Sequence, residues 1–163
     1  MKYRPFGDMS VSEIAFGCGD NAGVMVYGTA REQIEIIERA LELGVNLFDT
    51  SAAYGRGASE VNLGRTLADV KAEDVHVMSK VFLKKRDFDH IAEKVTESID
   101  ESLFRLRRER LDVLFFHNPL RFERNPANPL IEPLRPEDVI EKALPALVEA
   151  RRQGKIRCLG LAC

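Results

Sequence analysis

The chain has 163 residues, enough for one compact domain with a substantial core. It is 45% hydrophobic and 31% charged, ordinary values for a globular protein. Lys+Arg number 24 against Asp+Glu at 26, a formal net charge of -2, so charge provides no general attraction for nucleic acid or an anionic membrane surface.

The opening Met1-Lys2-Tyr3-Arg4-Pro5 lacks the apolar stretch of a secretory signal, and no later run is long enough to span a bilayer. Cys18, Cys158 and Cys163 are widely spaced and fit no metal motif. Cys18 and Cys158 fall in apolar, strand-like segments, so reduced thiols in a cytoplasmic protein are expected.

Residues 13–17 form a short apolar run closed by Gly17. Thr29 and Glu32 have capping-box spacing and open a helix with an apolar stripe of Ile34, Ile37 and Leu41, ended by Gly44. Residues 45–48 read as a buried strand ending at Asp49, and a short helix follows over 59–68. The next strand is 75–81, with Lys80 near its end. Ile91, Val95, Ile99, Leu103 and Leu106 recur at three- and four-residue steps, the strongest helical pattern in the chain. The basic run Arg105, Arg107, Arg108, Arg110 reads as a solvated helix terminus, where cations meet the negative end of the dipole. Residues 111–116 form a strand that delivers His117.

A loop containing Pro119, Pro126, Pro129 and Pro133 precedes a helix starting at Pro136, where a first-turn proline is tolerated. Pro145 should kink or split that helix, because it removes an internal hydrogen bond. Gly154 ends it, and 156–161 is the last strand. Alternating strands and helices predict a parallel sheet with right-handed crossovers, either doubly wound or barrel-forming. No Gly-x-Gly-x-x-Gly follows the first strand, so the doubly wound dinucleotide fold lacks its local motif.

Asp49, Lys80 and His117 each fall at or just past the C-terminal end of a predicted strand, and Tyr54 lies a few residues beyond Asp49. In a parallel barrel those ends converge on one face, where active sites are built. Each residue alone has a plainer reading: a helix cap, a solvated lysine, a satisfied histidine, a loop anchor. Their coincidence on one rim favours chemistry. A phenol is ordinarily too weak an acid to protonate an oxyanion efficiently at neutral pH, and a nearby ammonium favours its ionised form. A carboxylate beside the ammonium holds it charged and in place, and an imidazole can orient a carbonyl oxygen. Such a set suits protonation of a carbonyl oxygen as hydride arrives from a nicotinamide.

Asn46-Leu47-Phe48-Asp49-Thr50-Ser51-Ala52-Ala53-Tyr54-Gly55, continuing through Gly57-x-Ser59-Glu60-x-x-Leu63-Gly64, resembles the signature block of the aldo-keto reductase superfamily. Met78-Ser79-Lys80-Val81 resembles its lysine strand and Leu114-Phe115-Phe116-His117 its histidine strand. Met1-Lys2-Tyr3-Arg4-Pro5-Phe6-Gly7, with Ile14-Ala15-Phe16-Gly17, resembles the N-terminal hairpin and first barrel strand of bacterial members. The resemblance implies a (β/α)8 TIM-type barrel, incomplete in this chain at about five of eight strands after the hairpin. It implies reduction of an aldehyde or ketone with NADP(H), NAD(H) remaining open. Tyr54 would be the general acid, Lys80 and Asp49 its tuners, and His117 the group orienting the substrate carbonyl. Asp49 would also lie near the nicotinamide ribose, and the 118–134 loop on the substrate side.

Members often place Ser-Asn after the Gly-Leu of the last strand seen here. This chain has Ala162-Cys163 instead, and no dedicated carboxamide site is expected. Residues 1–163 are expected to form one barrel domain lacking its C-terminal part, with self-association through open edges a further expectation. A small carbonyl substrate is the expected partner, without nucleic acid, membrane or metal. The alternatives are a non-catalytic barrel-scaffold binding or regulatory protein and a Schiff-base lyase or aldolase using Lys80.

Overall fold

The computed structural model describes residues 1–21, 23–123 and 133–162. It begins with an antiparallel hairpin, β1 (Tyr3–Phe6) and β2 (Met9–Ser12), turning at Gly7. Then come β3 (Phe16–Gly17), a one-turn helix α1 (Val24–Tyr27), α2 (Ala30–Glu42), β4 (Leu47–Asp49), α3 (Ala58–Asp69), β5 (His76–Val81), α4 (Ile91–Leu106), β6 (Leu111–Phe116), α5 (Leu144–Arg152) and β7 (Ile156–Leu161). Strands β3 to β7 form one five-stranded sheet in chain order, parallel at every junction. The parallel sheet is the one expected from the alternation of elements, and its chain-ordered strands are the incomplete (β/α) barrel that the resemblance implied.

Strand alternation sorts the side chains into two layers. Phe48, Val77, Val81, Leu114 and Phe116 join the main core with Ile37, Leu63, Leu67, Val95, Ile99, Leu103 and Leu147 from the helices. On the other face, Leu47 and Val113 meet Met9 and Val11 of the hairpin, with Met78, Phe115 and Cys158 beside them. The hairpin thus packs where the strands begin, and the alternation carries the same face up to Asp49, Lys80 and His117 at their ends.

The capping box at Thr29 is present in both directions. The buried face of α2 differs from the expected stripe: Gln33, Ile37 and Ala40 are buried, whereas Ile34 and Leu41 are only half-buried. Gln33 can occupy the core because its amide donates to the carbonyls of Val24 and Gly28 at 3.0 and 2.9 Å. All five residues of the α4 stripe are buried, as the periodicity predicted.

Pro145 changes the winding of its helix without splitting it, since residues 136–152 are helical throughout. It sits in the first turn of α5, and residues 138–143 before it wind as a π-helix. A proline nitrogen cannot donate to the carbonyl four residues back, and the wider turn accommodates that loss. Pro126 and Pro129 lie outside the described residues. The ends of their loop are joined, Leu120 bridging Leu134 and the Leu134 amide donating to the Pro119 carbonyl at 3.0 Å. Cys18 is buried and Cys158 half-buried, both as free thiols, and Cys163 lies outside the described residues. Among the described residues no helix is long and apolar enough to cross a membrane.

Candidate active site

Parallel pairing brings the predicted rim residues together. β4 pairs with β5 in a register that sets Asp49 opposite Met78, so Lys80, two residues further, stands on the same face one step up. Its Nζ donates to Asp49 Oδ1 at 2.6 Å and to the Thr50 carbonyl at 2.9 Å. Two of the three ammonium protons are thereby directed to fixed acceptors. The same nitrogen lies 4.8 Å from the centre of the Tyr54 ring, within range of a cation–π attraction. Lys80 is buried, and its carboxylate partner is more exposed.

Tyr54 is held over the rim by an unusual turn. Gly55, Arg56 and Gly57 all have positive φ, at 56°, 55° and 91°. At Gly55 a side chain would also collide, since an added Cβ would stand 2.4 Å from Val26 Cγ1. The Gly55 amide donates to Asp20 Oδ1 at 3.0 Å, tying this turn to the segment after β3.

β6 delivers His117, whose backbone amide donates to the Val81 carbonyl at 2.9 Å. Its ring meets Tyr54 edge-on with centroids 6.0 Å apart, and Phe82 flanks it similarly at 6.3 Å. Burial holds its pKa below the ordinary histidine value, and the Lys80 ammonium adds to that effect while Asp49 opposes it. The imidazole is therefore biased towards its neutral form, with one nitrogen able to donate and the other to accept. Nδ1 stands 3.4 Å from Ser51 Oγ.

All four predicted residues thus share one rim. Sequence reasoning did not single out several polar neighbours that hold them. Asn118, buried beside His117, accepts from the Leu83 amide and donates to its carbonyl, both at 2.8 Å. Thr50, Ser51, Ser59, Glu60 and Ser79 are fully buried. The signal available in the sequence was a polar side chain within an otherwise apolar strand, as at Ser79. Cys18 lies near the same pair, and its thiol is pushed well above the usual range, mainly by burial and further by Asp49. A cavity of about 530 Å³ opens beside the rim between the 52–56 turn, the 82–87 segment and α4.

The donor set fits the reacting end of a nicotinamide dinucleotide. A carboxylate with one oxygen engaged by lysine and partial exposure can accept from a ribose hydroxyl, and Tyr54 and His117 border the same space. Among the described residues no cluster of side chains suited to a metal ion occurs.

Residues 13–162 match the family described as the aldo/keto reductase family. The chain is 32% identical to an L-galactose dehydrogenase of Arabidopsis thaliana over 165 residues, which covers 99% of this chain and 48% of that protein. It is 28% identical to aldo-keto reductase yakc [NADP(+)] of Schizosaccharomyces pombe over 98% of this chain and 44% of the relative. Among solved structures, aldo-keto reductase AKR11C1 from Bacillus halodurans in its holo form superimposes with a TM-score of 0.74 at 25% identity, covering 99% of this chain and 50% of the other. The chain spans about half the length of these relatives.

Proposed function

The chain belongs to the aldo/keto reductase family, and from that premise we propose that its rim serves NADP(H)-dependent reduction of an aldehyde or ketone to an alcohol. The observation that carries this reading is the Lys80 ammonium, fixed by Asp49 at 2.6 Å and facing the Tyr54 ring at 4.8 Å, with His117 edge-on to the same ring. One relative bears NADP(+) in its name, which supports the cofactor. Another is named a dehydrogenase, and reductase and dehydrogenase run one redox couple in opposite directions.

The cofactor, when bound, supplies hydride to the carbonyl carbon. Tyr54 gives its hydroxyl proton to the carbonyl oxygen, where negative charge would otherwise build up. Lys80 stabilises the phenolate left behind, and Asp49 keeps the ammonium aimed at it. His117, neutral and flanked by Phe82 and Tyr54, donates a hydrogen bond that orients the oxygen before transfer. Asp49 would also accept a hydrogen bond from a ribose hydroxyl of the cofactor.

Titration of the purified chain with NADPH, followed by fluorescence, tests the cofactor. Assay of NADPH oxidation across aldehydes and ketones, with Tyr54→Phe as the comparison, tests the chemistry. Saturable binding and turnover that drops at least about a hundredfold in a folded Tyr54→Phe variant are expected. Undiminished turnover in that variant removes Tyr54 as the acid, and no binding by a folded chain removes the cofactor.

A further inference from the structure

Ser59 and Glu60, in the first turn of α3 behind the Tyr54 turn, make contacts that helix capping does not require. Ser59 and Glu60 are both completely buried. Ser59 Oγ donates to the Cys18 carbonyl at 2.9 Å and lies 2.8 Å from Thr50 Oγ1, so Thr50 supplies the proton of that second bond. Thr50 follows Asp49, and its carbonyl accepts from Lys80 Nζ. One residue further, Glu60 Oε1 accepts from Ser79 Oγ at 2.5 Å, and Oε2 accepts from Arg105 Nε at 2.6 Å. Ser79 precedes Lys80 on β5. Adjacent residues on one helix therefore grip the neighbours of both members of the Asp49–Lys80 pair.

Stability is a poor reason for this arrangement. A buried ion pair roughly breaks even against apolar side chains of similar volume, because desolvation offsets the attraction. Apolar residues at 60, 79 and 105 could fill the same space. The polar contacts provide direction instead, each allowing a narrow range of distance and angle. β5 is locked to the start of α3, and the start of α3 is covalently continuous with the turn that carries Tyr54. The spacing between Lys80 Nζ and Tyr54 follows from that lock. A misplacement of about 1 Å at such a site can cost about a hundredfold in rate.

We propose that Ser59 and Glu60 act as positioning residues, a two-point clasp through Thr50 and Ser79 that fixes Lys80 against Tyr54 and His117. The functional meaning of the clasp rests on the reductase reading, whereas its geometry does not. Neither residue touches the space where the substrate carbonyl would sit.

The test reads the position of Lys80 without turnover. The imidazole of His117, one of three histidines, is followed by NMR through a pH titration, its signal assigned with His117→Gln. Burial first and the Lys80 ammonium second hold this midpoint down, so an ammonium released from its place lets the midpoint rise. The midpoint is measured in Ser59→Ala, Ser79→Ala, Glu60→Gln and Ile99→Val, the last a core change remote from the clasp. A rise of several tenths of a pH unit in the clasp variants, with none in Ile99→Val, is expected. An unchanged midpoint in folded Ser79→Ala overturns the proposal, and so does an equal rise in Ile99→Val. Should Glu60→Gln fail to fold, the serine variants decide alone. The effect of Tyr54→Phe on NADPH turnover is scored separately, so failure of the reductase reading is distinguishable from failure of the clasp.

Discussion

Lys80 and Asp49 stand on adjacent parallel strands with their charged atoms 2.6 Å apart, the lysine nearly enclosed and the aspartate partly open to solvent. This asymmetry sets what each deletion does. Removing the carboxylate strands a buried ammonium with the Thr50 carbonyl as its remaining fixed acceptor.

Asp49→Leu is accordingly expected to lower unfolding free energy by about 2 kcal/mol, below the range for a fully buried pair because Asp49 keeps some solvent. Asp49→Asn retains an acceptor and should lose less. Urea denaturation of both variants decides, and a Leu variant as stable as the parent would mean that the ammonium finds another partner.

His117 makes stability depend on pH. Its folded pKa is depressed below the ordinary 6.5 by burial, with Lys80 adding to it. Between that depressed value and 6.5 the unfolded chain binds more proton than the folded one, so stability rises with pH across the window and falls as the solution is acidified through it. Below the folded pKa both states are protonated and this contribution is fully lost. Midpoints of thermal unfolding over this window should fall less steeply for His117→Gln than for the parent. Parallel profiles would mean that His117 is not desolvated.

Two glycines should respond to alanine for different reasons. At Gly64 an added Cβ would lie 2.5 Å from both C and O of Leu106, where α3 crosses the end of α4 and main chain meets main chain. Gly64→Ala should cost about 3 kcal/mol, the upper end of ordinary overpacking. At Gly154 nothing lies within 4 Å, but φ is 77°, so Gly154→Ala should cost only the backbone strain, about 1 kcal/mol. Thermal shifts of the two variants in that order are expected, and the reverse order would contradict the close approach of α3 to α4.

The order of elements and the four rim residues were legible because periodicity reports burial, and because strand ends can be located from the apolar runs before Asp49, Lys80 and His117. Contacts set by tertiary neighbours were not. Ile34 looked like a core residue on α2, yet Gln33 took that place because α1 and the residue capping it offered two carbonyls to its amide. Pro145 announced a kink or split, whereas the chain stays helical and winds as a π-turn before it, which depends on how it regains its hydrogen bonds. Ser59 and Glu60 belonged to a recognisable block, but nothing local reveals that their partners lie on β4 and β5. Asn118 read as loop, and its two bonds to Leu83 arise only once β5 and β6 are side by side.

The strictly sequential order of β3 to β7 also bears on how the rim comes into being during synthesis. Each strand pairs with the one made just before it, so every closure spans only the helices and turns between sequence neighbours and the entropy of loop formation stays modest. Asp49 and Lys80 meet when the third strand of the sheet docks on the second, and His117 arrives with the fourth. A nascent chain can therefore assemble the rim in the direction of translation, its polar groups finding their partners before β7 has left the ribosome.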